Sequence, residues 1–517
     1  MKKINPVYFY SAIVAFGGFV FGLDAAIISG TVNFISVEFG LNDLEIGAVV
    51  SAPGFGVIFA LLVTGYIVDT FGRKGTLILI ASFYLLSAIC SALAPTFTLL
   101  VAARFLGGLA FTSLSVSAMY IGEIAPPELR GKMVAMNQIN TVVGLSAAYF
   151  VNYLIINSGA ADFIVFEELG LRVAKWRWML GSEIIPASLW LVLLFFIPQS
   201  PRWLLMKNRN EEAKKVLMRY VPLEKLQHVI EDLGGNNLAN PERSFLSRFK
   251  EIFQPRLRKI LWLGLAVSII QPITGINAIL FYAPTVFEQA GVGTDTAFVQ
   301  AVYIGIVSLV FTFLAFILID RIGRRPLTII GLTWAALSLG LCTYGFYQAK
   351  YSFSTENVAL LQNQYPQLDF QDFIGKSYAS DVEFKEAMQT EFGNDTFRKI
   401  QSNLLAASVE LPAMLILFGI LGFIAAFQLS IGPVLWVILS EIFPTALRGV
   451  AIPSFAFVVS LVSYFVQQFF PWQLSHMGAT YIFLFYAVVT GLGAIILWRI
   501  LPETKNKSIE EITLELQ

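Results

Sequence analysis

The stretch Glu123–Gly131 (EIAPPELRG) returns as EIFPTALRG at Glu441–Gly449, with Glu, Ile, Pro, Leu, Arg and Gly in register. A second pair of segments repeats upstream of these copies: Asp69–Lys74 (DTFGRK) and Asp320–Arg325 (DRIGRR). The chain is therefore an internal duplication. Each charged segment follows the end of a long apolar run. A doubled, charge-punctuated membrane chain is typical of a transporter whose two halves move about a central site.

Composition places nearly the whole chain in a membrane. Of its 517 residues, 56% are hydrophobic and only 14% are charged, with 35 acidic and 35 basic side chains. A bilayer core of ~30 Å needs about 20 helical residues, and backbone groups in lipid must be hydrogen-bonded within the segment. The apolar runs are therefore predicted to be transmembrane helices. The two cysteines and two histidines are too few for a disulfide framework or a metal site.

Twelve spans follow from the apolar runs, at 7–31, 46–68, 75–94, 97–121, 134–156, 178–197, 258–286, 298–319, 327–348, 407–439, 450–471 and 478–500. A basic connector, residues 199–256, separates the sixth span from the seventh, with helical stretches near 210–220 and 242–253. Residues 349–406 are polar and rich in Asp, Glu, Gln and Asn. Short amphipathic helices are predicted there.

Charge predicts the orientation. Lys and Arg are concentrated in the N-terminus, the connector, the tail and the other loops on the same side as these three. By the positive-inside rule, both termini and the connector are cytoplasmic. Residues 349–406 are then expected outside.

The repeated loops carry a specific resemblance. Gly65–Lys74 (GYIVDTFGRK) and Asp320–Arg325 match the loop motif of the major facilitator superfamily. Four further motifs occur in the order found in its sugar porter branch. The chain therefore resembles a sugar porter, in particular the bacterial proton-coupled monosaccharide symporters. The four motifs are Pro198–Trp203 (PQSPRW), Gln271–Asn277 (QPITGIN), Gly432–Trp436 (GPVLW) and Pro502–Lys505 (PETK).

The resemblance implies an all-α membrane fold of twelve transmembrane helices in two six-helix bundles, joined by a cytoplasmic helical connector. The implied division is 1–198 for the first bundle, 199–256 for the connector, 257–500 for the second bundle with its extracytoplasmic insertion 349–406, and 501–517 for a cytoplasmic tail. It also implies a multi-pass protein of the bacterial inner membrane that functions as a monomer.

Three charged residues fall inside predicted spans. Asp24 lies in the first span, Arg104 early in the fourth and Glu183 a few residues into the sixth. An ionised carboxylate there costs on the order of 3 kcal/mol or more unless it is paired. Arg104 is the available partner, and Glu183 is expected at a similar depth. The resemblance implies that the Asp–Arg pair couples transport to protons. A permanently paired structural carboxylate is the alternative.

The repeated motifs predict a second charge cluster at the cytoplasmic ends of the helices. Acidic and basic residues recur at matching positions, which topology signals alone do not explain. We expect interhelical ion pairs that close the cytoplasmic side when the outer side is open, each weak because it is exposed. The residues concerned are Asp69, Arg73, Glu123 and Arg130 in the first half and Asp320, Arg324, Glu441 and Arg448 in the second.

The resemblance also implies a sugar site, since amide side chains bind hydroxyls and aromatic faces stack on pyranose rings. The matching residues are Phe21, Gln271, Asn277, Tyr282 and Trp436, with Gly275 and Gly432-Pro433 expected to break the seventh and tenth helices. Several familiar amides are absent: Leu145, Pro272 and Ser308 stand in the places of three, and an eleventh-span amide has no match near Val459–Ser463. Ser308 remains a candidate contact. A sugar or polyol that is smaller or less hydroxylated than a common hexose therefore fits these site residues equally well.

These observations favour a proton-coupled importer of a monosaccharide or related polyol. A facilitative uniporter and a transporter-like sugar sensor are the alternatives. No nucleotide loop, metal cluster or nucleophile–base constellation occurs in the sequence, so neither an enzyme nor a cofactor is predicted. The expected partners are the sugar or polyol, the proton and the lipid bilayer, with no role for nucleic acid.

Overall fold

The structure is a computed structural model that describes residues 6–158, 174–221, 226–227, 229–230, 245–444, 447–507 and 511–512. Of residues 127, 128, 130 and 245–248 only the backbone is described. The predicted gate residue Arg130 therefore has its side chain outside the described atoms.

Eleven helical segments in the described residues are long and apolar enough to cross a membrane. One of them, Asp43–Ala92, contains two crossings, because Gly72 adopts φ 75° and ψ 172° and interrupts the helix. Twelve crossings result, as predicted. Large apolar side chains such as Leu62, Ile185 and Leu337 are at least 70% exposed on the outside of the bundle, as lipid contact requires. The chain is a multi-pass membrane protein of the predicted all-α class.

The helices of the spans are Pro6–Ile27, Asp43–Ala92, Phe97–Leu109 with Ser113–Ile124, Pro127–Asn157, Lys175–Gly181 with Ile184–Leu194, Arg258–Ile273 with Ile276–Phe281, Thr294–Ile322, Arg324–Tyr347, Ala413–Leu429 with Ile431–Ile442, Arg448–His476 and Gly478–Ile500. Short helices lie between them at Val32–Phe39 and Ala283–Glu288, and 3-10 turns at Ile28–Gly30, Ala110–Thr112 and Pro255–Leu257. The described connector contains Pro201–Met206, Asn210–Leu217 and Phe245–Ile252.

The seventh and tenth spans, which carry most of the predicted sugar contacts, are both broken near the middle of the bundle. The seventh breaks at Thr274 and Gly275, where Gly275 has φ 87° and accommodates the left-handed turn. The tenth breaks at Ser430, with φ −124° and ψ −106°. The expected break at Gly432-Pro433 was therefore placed two residues too late. Pro433 lies in the first turn of the helix Ile431–Ile442, where a missing N–H costs no helical hydrogen bond.

Residues 349–406 and their flanks form a small folded unit and not only amphipathic helices. Strands β1 (Lys350–Ser352), β2 (Ser377–Tyr378) and β3 (Val409–Glu410) make an antiparallel sheet in the order β2-β1-β3. Helices Thr355–Gln364, Asp381–Phe392 and Asn394–Ser408 and the 3-10 turn Gln371–Phe373 complete it. Its own apolar core includes Phe370, Phe384 and Phe397. Hereafter this unit is the insertion, the face it covers is the insertion side, and the opposite face is the motif side.

Candidate functional site

Two of the most deeply buried charged residues that the structure describes, Asp24 and Arg104, form an ion pair. Arg104 contacts the Asp24 carboxylate through Nη1 and donates from Nη2 to the Asp24 carbonyl oxygen at 3.3 Å. Asp24 is fully buried and Arg104 is 2% exposed. Close packing holds the fourth span against the third, since a Cβ on Gly107 would lie 2.6 Å from the Ser87 hydroxyl, and the same Cβ would be in van der Waals contact with Asp24 Oδ2 at 3.6 Å. The structure therefore brings together the two residues that the sequence paired.

Glu183 joins this pair. Its side chain is 2% exposed and interacts with both Asp24 and Arg104. It sits where the sixth span is interrupted between Lys175–Gly181 and Ile184–Leu194. Asp24 Oδ2 and Glu183 Oε1 are buried with no hydrogen-bond donor among the described residues. Two carboxylates and one guanidinium leave one negative charge in an apolar interior unless a proton binds, and such a charge is costly there.

The predicted polar residues around the break in the seventh span differ in their hydrogen-bond partners. Asn277 is half-buried and donates from Nδ2 to Ser463 Oγ in the eleventh span at 2.7 Å. Gln271 Oε1 is buried without a partner among the described residues. Tyr282 is not free to contact a ligand here, because it is 1% exposed and its hydroxyl donates to the Gln467 carbonyl at 3.0 Å.

The other predicted sugar contacts differ in exposure. Trp436 follows the break in the tenth span and is 42% exposed. Phe21 packs edge-on against Phe111, with ring centroids 4.7 Å apart. The Ser308 hydroxyl is buried and has no partner among the described residues. Gln271 and Ser308 are thus polar groups whose hydrogen bonds a bound hydroxyl would complete.

On the motif side of the first half, Glu123 is the acceptor of a buried network. Arg73 Nη2 lies 2.8 Å from Glu123 Oε1, and the Ser200 hydroxyl donates to Glu123 Oε2. The two ion-pair side chains are 8% and 6% exposed, so the expectation of a weak, exposed pair is wrong for this one. Asp69 is more distant, 4.0 Å from Arg73, and is 70% exposed.

The second half repeats this arrangement. Arg324 Nη2 lies 3.0 Å from Glu441 Oε1, and Thr504 Oγ1 donates to Glu441 Oε2 at 2.6 Å. Asp320 pairs with Arg324 at 3.0 Å. Arg448, at the start of the eleventh span, donates from Nε to the carbonyl of Phe443, just after the tenth span, at 3.0 Å.

The symmetry reveals a third repeat that sequence reasoning treated as two unrelated motifs. Gln199 Oε1 accepts from the Lys74 amide at 3.0 Å, and Glu503 accepts from the Arg324 and Arg325 amides at 3.1 Å each. Both therefore cap the helix that begins after Gly72 or Gly323. The signal was the shared pattern Pro, Gln or Glu, then Ser or Thr, at the ends of the sixth and twelfth spans.

The two halves are tied together on the insertion side. Tyr149 donates to the Leu280 carbonyl at 2.6 Å and Ser146 to the Gly305 carbonyl at 2.7 Å. Further along, Gln468 accepts from Ser51 at 2.7 Å. The described ion pairs of the motif side each stay within one half. This conformation is therefore closed on the insertion side.

Comparison with known proteins decides the family. The family model described as "Sugar (and other) transporter" matches residues 10–361 and 399–516. The chain belongs to the sugar transporter family. The resemblance inferred from the repeated loops is thereby confirmed. The stretch of the insertion from 362 to 398 lies outside the two matched ranges of the family model.

Sugar transporters of known activity are similar over nearly the full length. The arabinose-proton symporter of Bacillus subtilis is 31% identical over 511 residues, which covers 98% of this chain and 94% of the relative. The D-xylose-proton symporter of Escherichia coli is 30% identical, covering 99% of this chain and 96% of the relative.

Solved structures of the Escherichia coli xylose transporter XylE confirm the fold. Its inward-open structure has a TM-score of 0.74 at 27% identity and covers 99% of this chain and 100% of XylE. Its structure bound to 6-bromo-6-deoxy-D-glucose has a TM-score of 0.68 at 28% identity, with 99% and 100% covered. Two bundles of six helices are therefore the architecture of this family member.

Proposed function

We propose that this protein is a secondary active transporter that imports a monosaccharide or related polyol together with protons by alternating access. The bodies that move are the bundles 1–198 and 257–500, with 199–256 as the connector, 501–517 as a tail and 349–406 as the insertion. The chain works as a monomer in the bacterial inner membrane, with both termini cytoplasmic.

One observation carries the proton coupling: Asp24, Arg104 and Glu183 are buried together, and two carboxylate oxygens lack donors among the described residues. A bound proton would neutralise the excess negative charge and supply a donor between the carboxylates. Loss of that proton strengthens the attraction of Asp24 for Arg104, which pulls the first and fourth spans together. The site therefore has two states that differ by one proton, as coupling requires.

The sugar would bind between the broken seventh and tenth spans. Gln271, Asn277 and Ser308 offer hydrogen bonds and Trp436 an aromatic face, while Phe21 lines the opposite bundle. Tyr282 would act as a gate residue, since its hydroxyl bonds the eleventh span in the closed state. Because the relatives include transporters of arabinose and xylose, pentoses are the first substrates to test.

The described conformation corresponds to the inward-facing state in this scheme. With the termini cytoplasmic, the closed insertion side is the outer gate and the networks around Glu123 and Glu441 belong to the open cytoplasmic side. These networks brace each half separately here and would rearrange when that side closes.

Counterflow in proteoliposomes tests the proposal. The purified chain, preloaded with unlabelled sugar, should take up labelled arabinose or xylose saturably, and an imposed gradient with acid outside should raise the accumulation. Saturable counterflow that no pH gradient can drive uphill would instead identify a uniporter. No saturable flux of any sugar or polyol in a broad panel would refute a transport function.

A further inference from the structure

A carboxylate outside the spans, that of Glu288, lies where the helices Val32–Phe39 and Ala283–Glu288 of the two halves meet; this contact is called the seam. Glu288 ends the short helix Ala283–Glu288 and is 6% exposed. Asn33, in the helix Val32–Phe39 of the other half, donates from Nδ2 to Glu288 Oε2 at 2.6 Å. Thr285, one turn earlier, donates to Asn33 Oδ1 at 3.1 Å. The amide of Asn33 is therefore held at both ends by one helix of the second half.

The insertion helps to bury this carboxylate. Its helix Asn394–Ser408 packs on both Val32–Phe39 and Ala283–Glu288. The Ser402 hydroxyl of that helix lies 3.0 Å from Thr294 Oγ1, in the first residue of the eighth span. The seam is therefore covered by a segment that belongs to the second half and touches the first.

Charged groups on the neighbouring elements do not compensate Glu288. On the first half, Glu38 is paired with Arg177 at 2.9 Å. On the eighth span and the insertion helix, Asp295 and Lys399 are exposed, and Arg398 faces Asp395 at 3.9 Å. Burial raises the pKa of Glu288 to about 7, and its hydrogen bonds to Thr294 and Asn33 offset only part of that rise. Separation of the halves would return the carboxyl to water.

We propose that Glu288 binds a proton as the insertion side closes and releases it to that side when the halves separate, so that acid there favours the closed state. This proton does not cross the membrane, unlike the one assigned to Asp24. Glu288 thus makes the gate itself sensitive to pH, whatever sugar is carried.

The difference in the pKa of Glu288 between the two states determines in which direction, and over which pH range, the closed-to-open ratio changes. In the closed state burial raises the pKa of Glu288 to about 7, and in an open state the carboxyl, returned to water, would have its ordinary pKa of 4.5. The closed state is then favoured most below about pH 4.5, and loses that advantage as the pH rises to about 7. Within this window the closed-to-open ratio should fall by up to about tenfold per pH unit, and above it the ratio should stay constant.

Distances between spin labels across the gate test this directly. Labels are placed at Val37→Cys in the first half and Tyr481→Cys in the second, both exposed on the insertion side, in a Cys90→Ser and Cys342→Ala background. Full-length protein in lipid nanodiscs without sugar is measured from pH 4.5 to 8.5. An Asp24→Asn and Glu183→Gln background removes both carboxylates of the buried cluster, so failure of proton symport does not affect the result.

The closed population should decline with rising pH in this background and become independent of pH once Glu288→Gln is added. Asp295→Asn, an exposed acid near Glu288, is the matched control and should behave like the parent. A decline that persists in Glu288→Gln, or a parent whose distances ignore pH, would overturn the proposal.

Discussion

At the residue scale, the hydrogen-bond partner of a polar side chain, and not its residue type, decides whether it can contact a ligand in this conformation. Asn277 is half-buried and its one described side-chain partner, Ser463, belongs to a neighbouring span. Tyr282 has its hydroxyl committed to the Gln467 carbonyl. Both were predicted from the sequence as sugar contacts, yet of the two only Asn277 is accessible to a ligand in this conformation. The same logic separates the buried Glu123 from the more exposed Glu441.

Removal of the Asn277 amide should weaken sugar binding. A lost hydrogen bond to a hydroxyl costs about 1–1.5 kcal/mol, so Asn277→Ala should raise the KM for transport about tenfold with less effect on the maximal rate. Ser463→Ala keeps the amide and should change the KM far less. Uptake kinetics in proteoliposomes measure both. Equal KM values for the wild type and Asn277→Ala would remove Asn277 from the site.

Neutralisation of Glu123 should destabilise the protein more than neutralisation of Glu441. Glu123→Gln leaves the buried Arg73 with only the exposed Asp69, 4.0 Å away, as a described counter-charge, and a broken buried pair costs about 3–5 kcal/mol. Glu441 is 23% exposed, so water replaces part of what Glu441→Gln removes. Thermal unfolding in detergent should therefore show the larger drop in Tm for Glu123→Gln. A larger drop for Glu441→Gln would contradict the burial argument.

At the element scale, the sequence predicted the spans and the buried charge pair, which depend on local pattern, but not the hydrogen bonds and strand pairs, which depend on contacts between distant residues. Span number and direction placed Asp24 and Arg104 at one depth, and so predicted their pairing. Ser200 and Thr504 were missed as partners because they lie 77 and 63 residues from the carboxylates they bond. The sheet of the insertion was missed as well, since strands of two or three residues are specified by pairing with one another.

Two helices from different halves approach closely enough that one side chain should keep them apart. A Cβ on Gly305 would lie 2.9 Å from the Ser146 Cα. Gly305→Leu should therefore prevent closure of the insertion side and stop net transport while leaving the sugar accessible to that side. Gly340→Leu is the matched control, because no atom lies within 4 Å of its added Cβ.

Spin-label distances across the insertion side should show a single long population for Gly305→Leu and normal exchange for Gly340→Leu. A Gly305→Leu protein that still closes and transports would show that the contact is not part of the gate.

Excision of the insertion should leave a folded transporter. Strands β1 and β3 pair antiparallel with Lys350 opposite Glu410, so the chain enters and leaves the insertion at one point. Replacement of 352–408 by an Asn-Gly turn should join the strands without moving the spans. Sugar counterflow should persist, while the population closed on the insertion side should fall. Loss of folding would show that the insertion is part of the bundle core.

At the scale of the whole molecule, the internal duplication gives two similar halves, which differ in the features that the proposed transport cycle uses. Each half carries the same set of Arg, Glu and hydroxyl on the motif side, but only the first half carries the buried Asp24–Arg104 pair and only the second carries the insertion. In the proposed cycle the first bundle would therefore bind the proton, while the second would contribute the broken helices of the sugar site and a cover for the outer gate. Alternating access needs both bundles to change partners together.

Uptake driven by a pH gradient, compared between the wild type and Asp24→Asn, tests the coupling most directly. In proteoliposomes with acid outside, the wild type should accumulate labelled pentose above the external concentration. Asp24→Asn should lose that accumulation and keep exchange of labelled for unlabelled sugar. Undiminished uphill accumulation by Asp24→Asn would contradict the account.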